Sequence, residues 1–321
     1  MEFSEYFSGK KALITGGCGF VGSHIIDKLV ELDIASITVI DDLSAGTSTK
    51  YLDDYDNVTH IQEDIREFSF TDELDSDFDM IIHLAAQPSV PVSVERPYFD
   101  FEVNMIGSIR LLEFARKHNI GEFVFAASGG TVYGEAEKMP TPEFYPLRPI
   151  SNYGAAKAAV EMYLKSYAVL YGIKTTSMRF GNVYGPRSGH GVMFDFYHKL
   201  HEDPATLEIL GNGLQEKSYL YISDCVSGFL HATSRESSGF APFNMAAKPP
   251  VSVNEIADLM AELLGIEPEY HYTGGDRGWK GDVRKGELDV TALKRLGWSQ
   301  KVPIKEGMRR YIEWLENNVP I

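Results

Sequence analysis

The sequence predicts an α/β protein: a doubly wound parallel sheet, with a smaller lobe formed by the later part of the chain. Three observations predict it. The apolar run "KALIT" passes into a glycine-rich turn and then into an amphipathic helix. Apolar runs and helical stretches then alternate as far as about residue 180. Beyond that point the alternation fades and the loops lengthen, in "GPRSGHGVMF", "GNGLQEKSYLYISD" and "TGGDRGWKGDV". The expected division is a first domain over 1–179, a segment at about 222–250 that returns to its sheet, and a lobe made of 180–221 and 251–321.

In "KALITGGCGFVGSHIIDKLVEL" the turn carries Gly16, Gly19 and Gly22, and the helix repeats Ile25, Ile26, Leu29 and Val30 on one face. The first glycine allows the tight turn. The second lets a pyrophosphate approach the backbone, and the third lets helix and strand pack closely with the helix N-terminus facing the phosphates. A second strand, "SITVIDDL", follows and ends at Asp41, 19 residues beyond Gly22. A carboxylate at that distance accepts hydrogen bonds from an adenosine ribose. It repels a 2′-phosphate, so the turn is read as a dinucleotide site that prefers NAD to NADP. Asp42 is the alternative carboxylate.

The following elements continue the pattern. "VTHIQEDI" reads as a strand ending at Asp64 and Ile65, and "FDMIIHLAAQ" as a buried strand leading into a loop. "NMIGSIRLLEFARKH" is an amphipathic helix, "EFVFAAS" a strand, and "TTSMRFGNVYGP" a strand ending in a turn. Later, "SDCVSGFLHATS" reads as a helix and "FNMA" as a strand that rejoins the main sheet.

Composition narrows the partners. The 321 residues, 44% of them hydrophobic, are enough for one large domain or two smaller ones. Thirty basic against 46 acidic side chains give a net charge of -16, which argues against nucleic acid and requires local donors for any phosphorylated ligand. Two cysteines make no disulfide framework, and no Cys/His spacing suggests a metal. No apolar run is long enough for a membrane span, and "MEFSEYFSGKK" has no signal-peptide core, so a cytoplasmic protein is expected.

"SNYGAAK" places Tyr153 four residues before Lys157, on one face of a helix. A free phenol, with a pKa of about 10, is too weak a base at neutral pH. A neighbouring ammonium and a cationic nicotinamide favour the phenolate. Such a phenolate takes a proton from a substrate hydroxyl while hydride leaves for the cofactor. The same i, i+4 pairing occurs at Tyr6 and Lys10, ahead of the first strand, where it is read as coincidence.

"TGGCGFVG", Asp41, "DI" at 64–65, "HLAAQPSV", Asn104 in "VNMIGS", "TVYG", "YGAAK" and "RFGNVYGP" occur together and in this order. With them the chain resembles, over nearly its whole length, the extended short-chain dehydrogenases of the NAD-dependent nucleotide-sugar epimerase/dehydratase family, and most resembles the UDP-glucose 4-epimerases among them. The resemblance implies a Rossmann-type domain holding NAD. It places Gly16, Gly19, Phe20, Val21, Gly22, Asp41, Asp64, Ile65, Leu84, Ala85, Ala86, Tyr153 and Lys157 along the cofactor. It also implies a catalytic set of a hydroxyl, Tyr153 and Lys157. Counting from the strand puts the hydroxyl at Ser128. Counting back from "VYG" lands on Gly129, which has none, and Thr131 is the alternative. On the substrate side it implies Ser89, Ser128, Tyr153, Asn182, Lys217 where relatives mostly carry arginine, and Arg277, whose register is shifted by Gly278 and Trp279.

The related 4,6-dehydratases carry acidic residues in a turn resembling "TDEVYG", whereas "SGGTVYG" has none. The expected reaction is therefore inversion at C4 of a nucleotide-linked hexose through a transient 4-keto sugar. A 4-dehydrogenase, ketoreductase or dehydratase is the alternative, and a dinucleotide-binding sensor the non-enzymatic one. "AAKAAVEMYLKSYAVLY" is apolar around most of its circumference, which predicts burial on more than one side. Relatives pair this helix with the one near residues 101–117 across a two-fold axis, so a homodimer is expected.

Overall fold

The computed structural model describes residues 3–45, 48–67 and 77–319. A short helix α1 (Phe3–Phe7) precedes β1 (Lys11–Thr15), α2 (Phe20–Glu31), β2 (Ser36–Ile40), β3 (Val58–Ile61) and β4 (Met80–His83). The chain continues through α3 (Val90–Glu95), α4 (Pro97–Phe101), a π-helical segment Glu102–Gly107 and α5 (Ser108–Lys117). Then come β5 (Glu122–Ser128), α6 (Asn152–Tyr171) and β6 (Lys174–Phe180). The later part comprises β7 (Asn182–Tyr184), α7 (Val192–Glu202), β8 (Thr206–Ile209), β9 (Glu216–Lys217), β10 (Tyr219–Tyr221), α8 (Ile222–Thr233) and β11 (Phe240–Met245). It closes with β12 (Val251–Ser252), α9 (Val253–Leu264), β13 (Glu269–Tyr272), α10 (Thr291–Arg295) and α11 (Ile304–Asn318).

The main sheet has seven parallel strands in the order β11-β6-β5-β4-β1-β2-β3. Alternate residues of its strands feed two cores, as the two-residue period of a strand requires. Ile14, Val39, Ile82, Val124 and Met178 pack on one face with Ile25, Ile26 and Leu29 of α2 and Cys225 and Phe229 of α8. Leu13, Ile40, Ile81, Phe123 and Phe125 pack on the other with Leu111, Leu112 and Phe114 of α5 and Val160 and Leu164 of α6. The chain leaves β1 toward β2 and β3, then returns to build β4 on the opposite side. The switch in strand order therefore lies between β1 and β4, and a crevice opens at their C-terminal ends.

Three small two-stranded sheets, β7 with β10, β9 with β12 and β8 with β13, lie outside the main sheet, while β11 forms its edge beside β6. Some local readings change. The strand expected to run to Asp64 ends at Ile61, and Asp64 caps a turn by accepting from the Arg66 N–H. "RFGNVYGP" is broken at Gly181, whose N–H donates to the Met245 carbonyl; β7 then leaves the main sheet for β10. The helix carrying Asn104 begins as a π turn, and its Gly107 lets Ile65 approach, since a Cβ there would lie 2.6 Å from Ile65 Cδ1. Tyr6 and Lys10 do meet, with the Lys10 ammonium 3.4 Å from the ring centre, at Glu122 on the N-terminal edge of β5, the end of that strand away from Ser128.

A buried polar group ties these layers beneath the turn that follows β5. Arg179 of β6 donates three hydrogen bonds to Glu161 of α6 at 2.6–3.1 Å, with side chains 3% and 0% exposed. Its Nη1 also donates to the Tyr133 hydroxyl at 2.6 Å, which donates to Asn244 Oδ1 of β11 at 2.7 Å. Removing one member leaves an uncompensated charge in the core. Glu161→Gln is expected to cost about 3–5 kcal/mol, read as a shift of the urea unfolding midpoint; a change below about 1 kcal/mol would show that the pair is not a structural tie.

Candidate active site

The glycine turn sits at the switch point, and its glycines are required by space. Gly16 has φ +72°, and a Cβ on it would lie 2.5 Å from the Ala85 nitrogen. A Cβ on Gly22 would lie 2.3 Å from the Gly16 carbonyl oxygen. The turn thus nests between the backbone of the "HLAAQ" loop and the first turn of α2, whose N-cap Gly19 contributes no side chain. Leu84 and Ala85 N–H both donate to the Thr15 carbonyl, at 2.9 and 3.0 Å, which holds that loop beside the turn. Phe20 and Val21 open α2 and pack on the core.

Asp41 follows the last residue of β2 and is 8% exposed. Its Oδ2 accepts from the Cys18 N–H at 3.0 Å and its Oδ1 from the Leu43 N–H at 2.9 Å. Burial pushes its carboxyl above the usual carboxylate range, while these two N–H groups oppose the rise. Asp42 is turned to Ser44. Asp64 is engaged by its own neighbour: Arg66 forms a fork on it at 2.6–3.1 Å, which holds its carboxyl below the ordinary value. Ile65 is buried. This shell fits NAD. A Cβ would fill the cradle at Gly16 and Gly22, the N-terminus of α2 opens onto it, and the buried Asp41 at the end of β2 is the carboxylate that would accept from the adenosine ribose.

On the other side of the crevice, Ser151 caps α6 by accepting from the Gly154 N–H at 3.1 Å. Gly154 lets the helix start close onto the turn after β5; a Cβ there would meet the Thr131 carbonyl oxygen at 3.0 Å. This closure brings Tyr153 beside Ser128, the last residue of β5. Gly129 continues the β5 ladder by donating to the Phe180 carbonyl at 2.8 Å, and a Cβ on it would lie 2.8 Å from the Arg179 carbonyl oxygen. Thr131 sits one turn further, its hydroxyl buried and without a hydrogen-bond partner among the described residues.

Lys157 lies one helical turn beyond Tyr153 and is 2% exposed, its ammonium 4.8 Å from the Phe125 ring centre and 5.7 Å from that of Tyr153. Burial pulls the ammonium down to about 7, with the Asp100 carboxylate opposing. Burial pushes the Tyr153 phenol up to about 12; the Ser128 hydroxyl pulls it back, and Asp100 adds to the rise. His83, between Thr15 Oγ1 at 2.7 Å and Ser108 Oγ at 2.8 Å, is held neutral by burial and by Lys157, with its pKa near 3. Asp100 was not singled out from the sequence. It is 1% exposed and accepts from Gln87 Nε2 at 2.8 Å and Asn104 Nδ2 at 2.9 Å, while Asn104 also bonds the Gln87 backbone. An aspartate four residues before Asn104 was the available signal.

The remaining residues expected on the substrate side occupy three places. Ser89 caps α3, accepting from the Val92 N–H at 3.3 Å. Asn182 and Lys217 line one narrow crevice with Gly129, Gly130, Ser218 and Leu288. Lys217 is ion-paired to Asp282 at 2.6 Å, and Arg277 to Glu135 at 2.7 Å, so neither cation is free. Among the described residues, no group of three or more His, Cys, Asp or Glu side chains is placed to hold a metal ion.

A model of the NAD dependent epimerase/dehydratase family matches residues 12–246. The chain is 35% identical, over 311 residues, to a putative UDP-glucose 4-epimerase of Methanocaldococcus jannaschii, covering 95% of this chain and 98% of that one. It is similar to the solved UDP-glucose 4-epimerase of Thermotoga maritima with UDP-glucose, at 36% identity and a TM-score of 0.88, covering 97% of this chain and 100% of the other. It is also similar to the Thermus thermophilus UDP-glucose 4-epimerase in complex with NAD, at 33% identity and a TM-score of 0.84, covering 96% and 100%. The chain therefore belongs to the NAD-dependent epimerase/dehydratase family, and its cofactor is NAD. Extraction of the denatured protein is expected to yield NAD as the dominant dinucleotide, and Asp41→Asn to lower that yield. Mainly NADP in the extract would contradict the role given to Asp41.

Proposed function

We propose that this protein reversibly inverts C4 of a nucleotide-linked hexose, carried on UDP, with no net consumption of NAD. The observation that carries the reading is the turn after β5: Ser128 stands beside Tyr153, Lys157 lies one helical turn further on, and residues 128–134 contain no carboxylate. When bound, NAD supplies the nicotinamide that accepts and returns a hydride. Tyr153 takes the proton of the 4-hydroxyl, and Ser128 orients that hydroxyl toward it. The Lys157 ammonium, which burial pulls down to about 7 against the opposing Asp100 carboxylate, favours the phenolate when charged and holds the cofactor ribose. Ser89 meets the sugar, while Asn182, Lys217 and Arg277 hold the diphosphate, so the 4-keto sugar turns on a fixed anchor. Elimination across C5 and C6 needs an acid beside the sugar. The glycine pair 129–130 offers none, and this favours inversion over dehydration.

Tyr153→Phe is expected to lower turnover by about 10²–10⁴-fold with the fold intact. Ser128→Ala is expected to cost more than Thr131→Ala; the reverse order would move the orienting hydroxyl to Thr131. Incubation with UDP-, dTDP- and GDP-hexoses, resolved by NMR, is expected to give a C4 epimer from a UDP-sugar. A 4-keto-6-deoxy product would make the protein a dehydratase.

The active protein is further read as a homodimer. On α6, Met162, Tyr163, Val169, Leu170 and Tyr171 are exposed, and Tyr98 and Phe101 of α4 extend the same kind of surface, with Tyr98 72% and Val169 70% exposed. A helix that is apolar on its outward side is stable in water when that side is covered. A second copy supplies an identical apolar helix. Sedimentation at micromolar concentration is expected to give twice the mass of the chain; a monomer would leave this face unexplained.

A further inference from the structure

The turn after β5 and the loop ahead of α10 meet in a cluster of charges. Arg277 Nη1 donates to Glu135 Oε1 at 2.7 Å and to the Asp282 carbonyl. Lys217 Nζ pairs with Asp282 Oδ1 at 2.6 Å and donates to the Val283 carbonyl. Arg284 also reaches Glu135, with its backbone N–H donating to Oε1 at 3.4 Å and its Nε 3.6 Å from Oε2, while its Nη1 lies 3.0 Å from Asp276 Oδ2. Both cations assigned above to the diphosphate converge on Asp282, and both are already neutralised by the protein's own carboxylates. A doubly charged anion entering this balanced cluster leaves a local excess of negative charge in a chain of net charge -16, unless a carboxylate moves aside.

The carboxylates differ in their freedom to move. Asp282 is 4% exposed, and its Oδ2 also accepts from the Gly278 N–H at 3.1 Å. The Glu135 side chain is 33% exposed and has a second cation, Arg284, whose Nε lies 3.6 Å from its other oxygen, Oε2. Glu135 also directly follows the turn that begins at Ser128. The loop it fastens reaches the start of α6: a Cβ on Gly281 would lie 3.3 Å from Ser151 Cβ and 3.5 Å from Val90 Cγ1.

We infer that Glu135 is an internal competitor for the substrate's diphosphate: it occupies Arg277 and fastens the 277–284 loop to the turn after β5 until a nucleoside diphosphate takes Arg277 and leaves Glu135 with Arg284. The inference rests on the nucleotide-sugar reading above. It makes Glu135 a positioning residue, which sets how tightly the diphosphate is held and touches no reacting atom.

Calorimetric titration of the NAD-loaded protein with UDP, dTDP, GDP and the matching phosphate-free nucleosides tests it. Glu135→Gln is expected to tighten the preferred nucleoside diphosphate by about 3- to 5-fold, the size of a half-exposed ion pair that no longer has to be broken. Phosphate-free nucleoside binding stays unchanged. Glu135→Ala is expected to act in the same direction and serves if the amide variant does not fold. Glu137→Gln, an exposed carboxylate two residues on, is expected to change nothing. In an Arg277→Gln background the gain from Glu135→Gln disappears. Unchanged or weaker binding in Glu135→Gln, an equal gain in Glu137→Gln, or a gain that survives Arg277→Gln overturns the inference. Binding of GDP or dTDP in place of UDP, with the Glu135 effect intact, refutes the UDP assignment and supports the competitor. If no nucleoside diphosphate binds the protein or its variants, both readings fall.

Discussion

The close approach of Gly16 to the backbone of Ala85 is the constraint on which the rest of the site depends. It lies where the strand order switches from β1 to β4, the place at which a parallel sheet opens a crevice at its C-terminal edge. A side chain at Gly16 would push the "HLAAQ" loop away from β1 and undo the bonds from Leu84 and Ala85 to Thr15. Behind that loop, Gln87 is tied to Asn104 and Asp100, and Asp100 is the carboxylate that faces Lys157. One steric requirement thus sets the cofactor cradle and, through a chain of buried hydrogen bonds, the charge environment of the proposed catalytic lysine.

The opposing demands on Lys157 and Tyr153 follow from burial. Both are drawn toward their neutral forms, the lysine to about 7 and the phenol to about 12. The buried Asp100 carboxylate opposes the fall of the ammonium, and its Oδ1 accepts from the side-chain amides of Gln87 and Asn104. The cost of such a carboxylate is offset by those two donors. The charges between the turn after β5 and the loop ahead of α10 follow a different rule. Arg277 and Arg284 lie at a partly exposed seam and are balanced by Glu135 and Asp276, where ion pairs exchange readily because each contributes little, whereas Lys217 is paired with the buried Asp282.

Much of this was legible in the sequence because it rests on short-range rules. The glycine spacing, the strand-to-helix pattern around it and the i, i+4 pair at Tyr153 and Lys157 each encode geometry within a few residues. What was illegible depends on residues far apart in the chain. Arg277 and Glu135 are separated by 142 positions, so nothing local announced that the arginine expected to fork a diphosphate already holds a glutamate. Asp100 belongs to none of the motifs read from the sequence, and only tertiary packing buries it. The break at Gly181 lies between two strand segments, Lys174–Phe180 and Asn182–Tyr184, and the capture of its N–H by Met245 of a distant strand ends the first. The Tyr6 and Lys10 pair shows the converse, a spacing that forms a real contact at the opposite end of β5 from the crevice.

In the proposed reaction, one site removes and returns the same hydrogen at C4. A UDP-hexose deuterated at C4, incubated with the NAD-loaded protein in unlabelled buffer, tests it most directly. Mass and NMR analysis are expected to find the C4 epimer with its deuterium still on C4 and the NAD content of the protein unchanged. Loss of the label to solvent, or stoichiometric NADH with a released ketone, would contradict it.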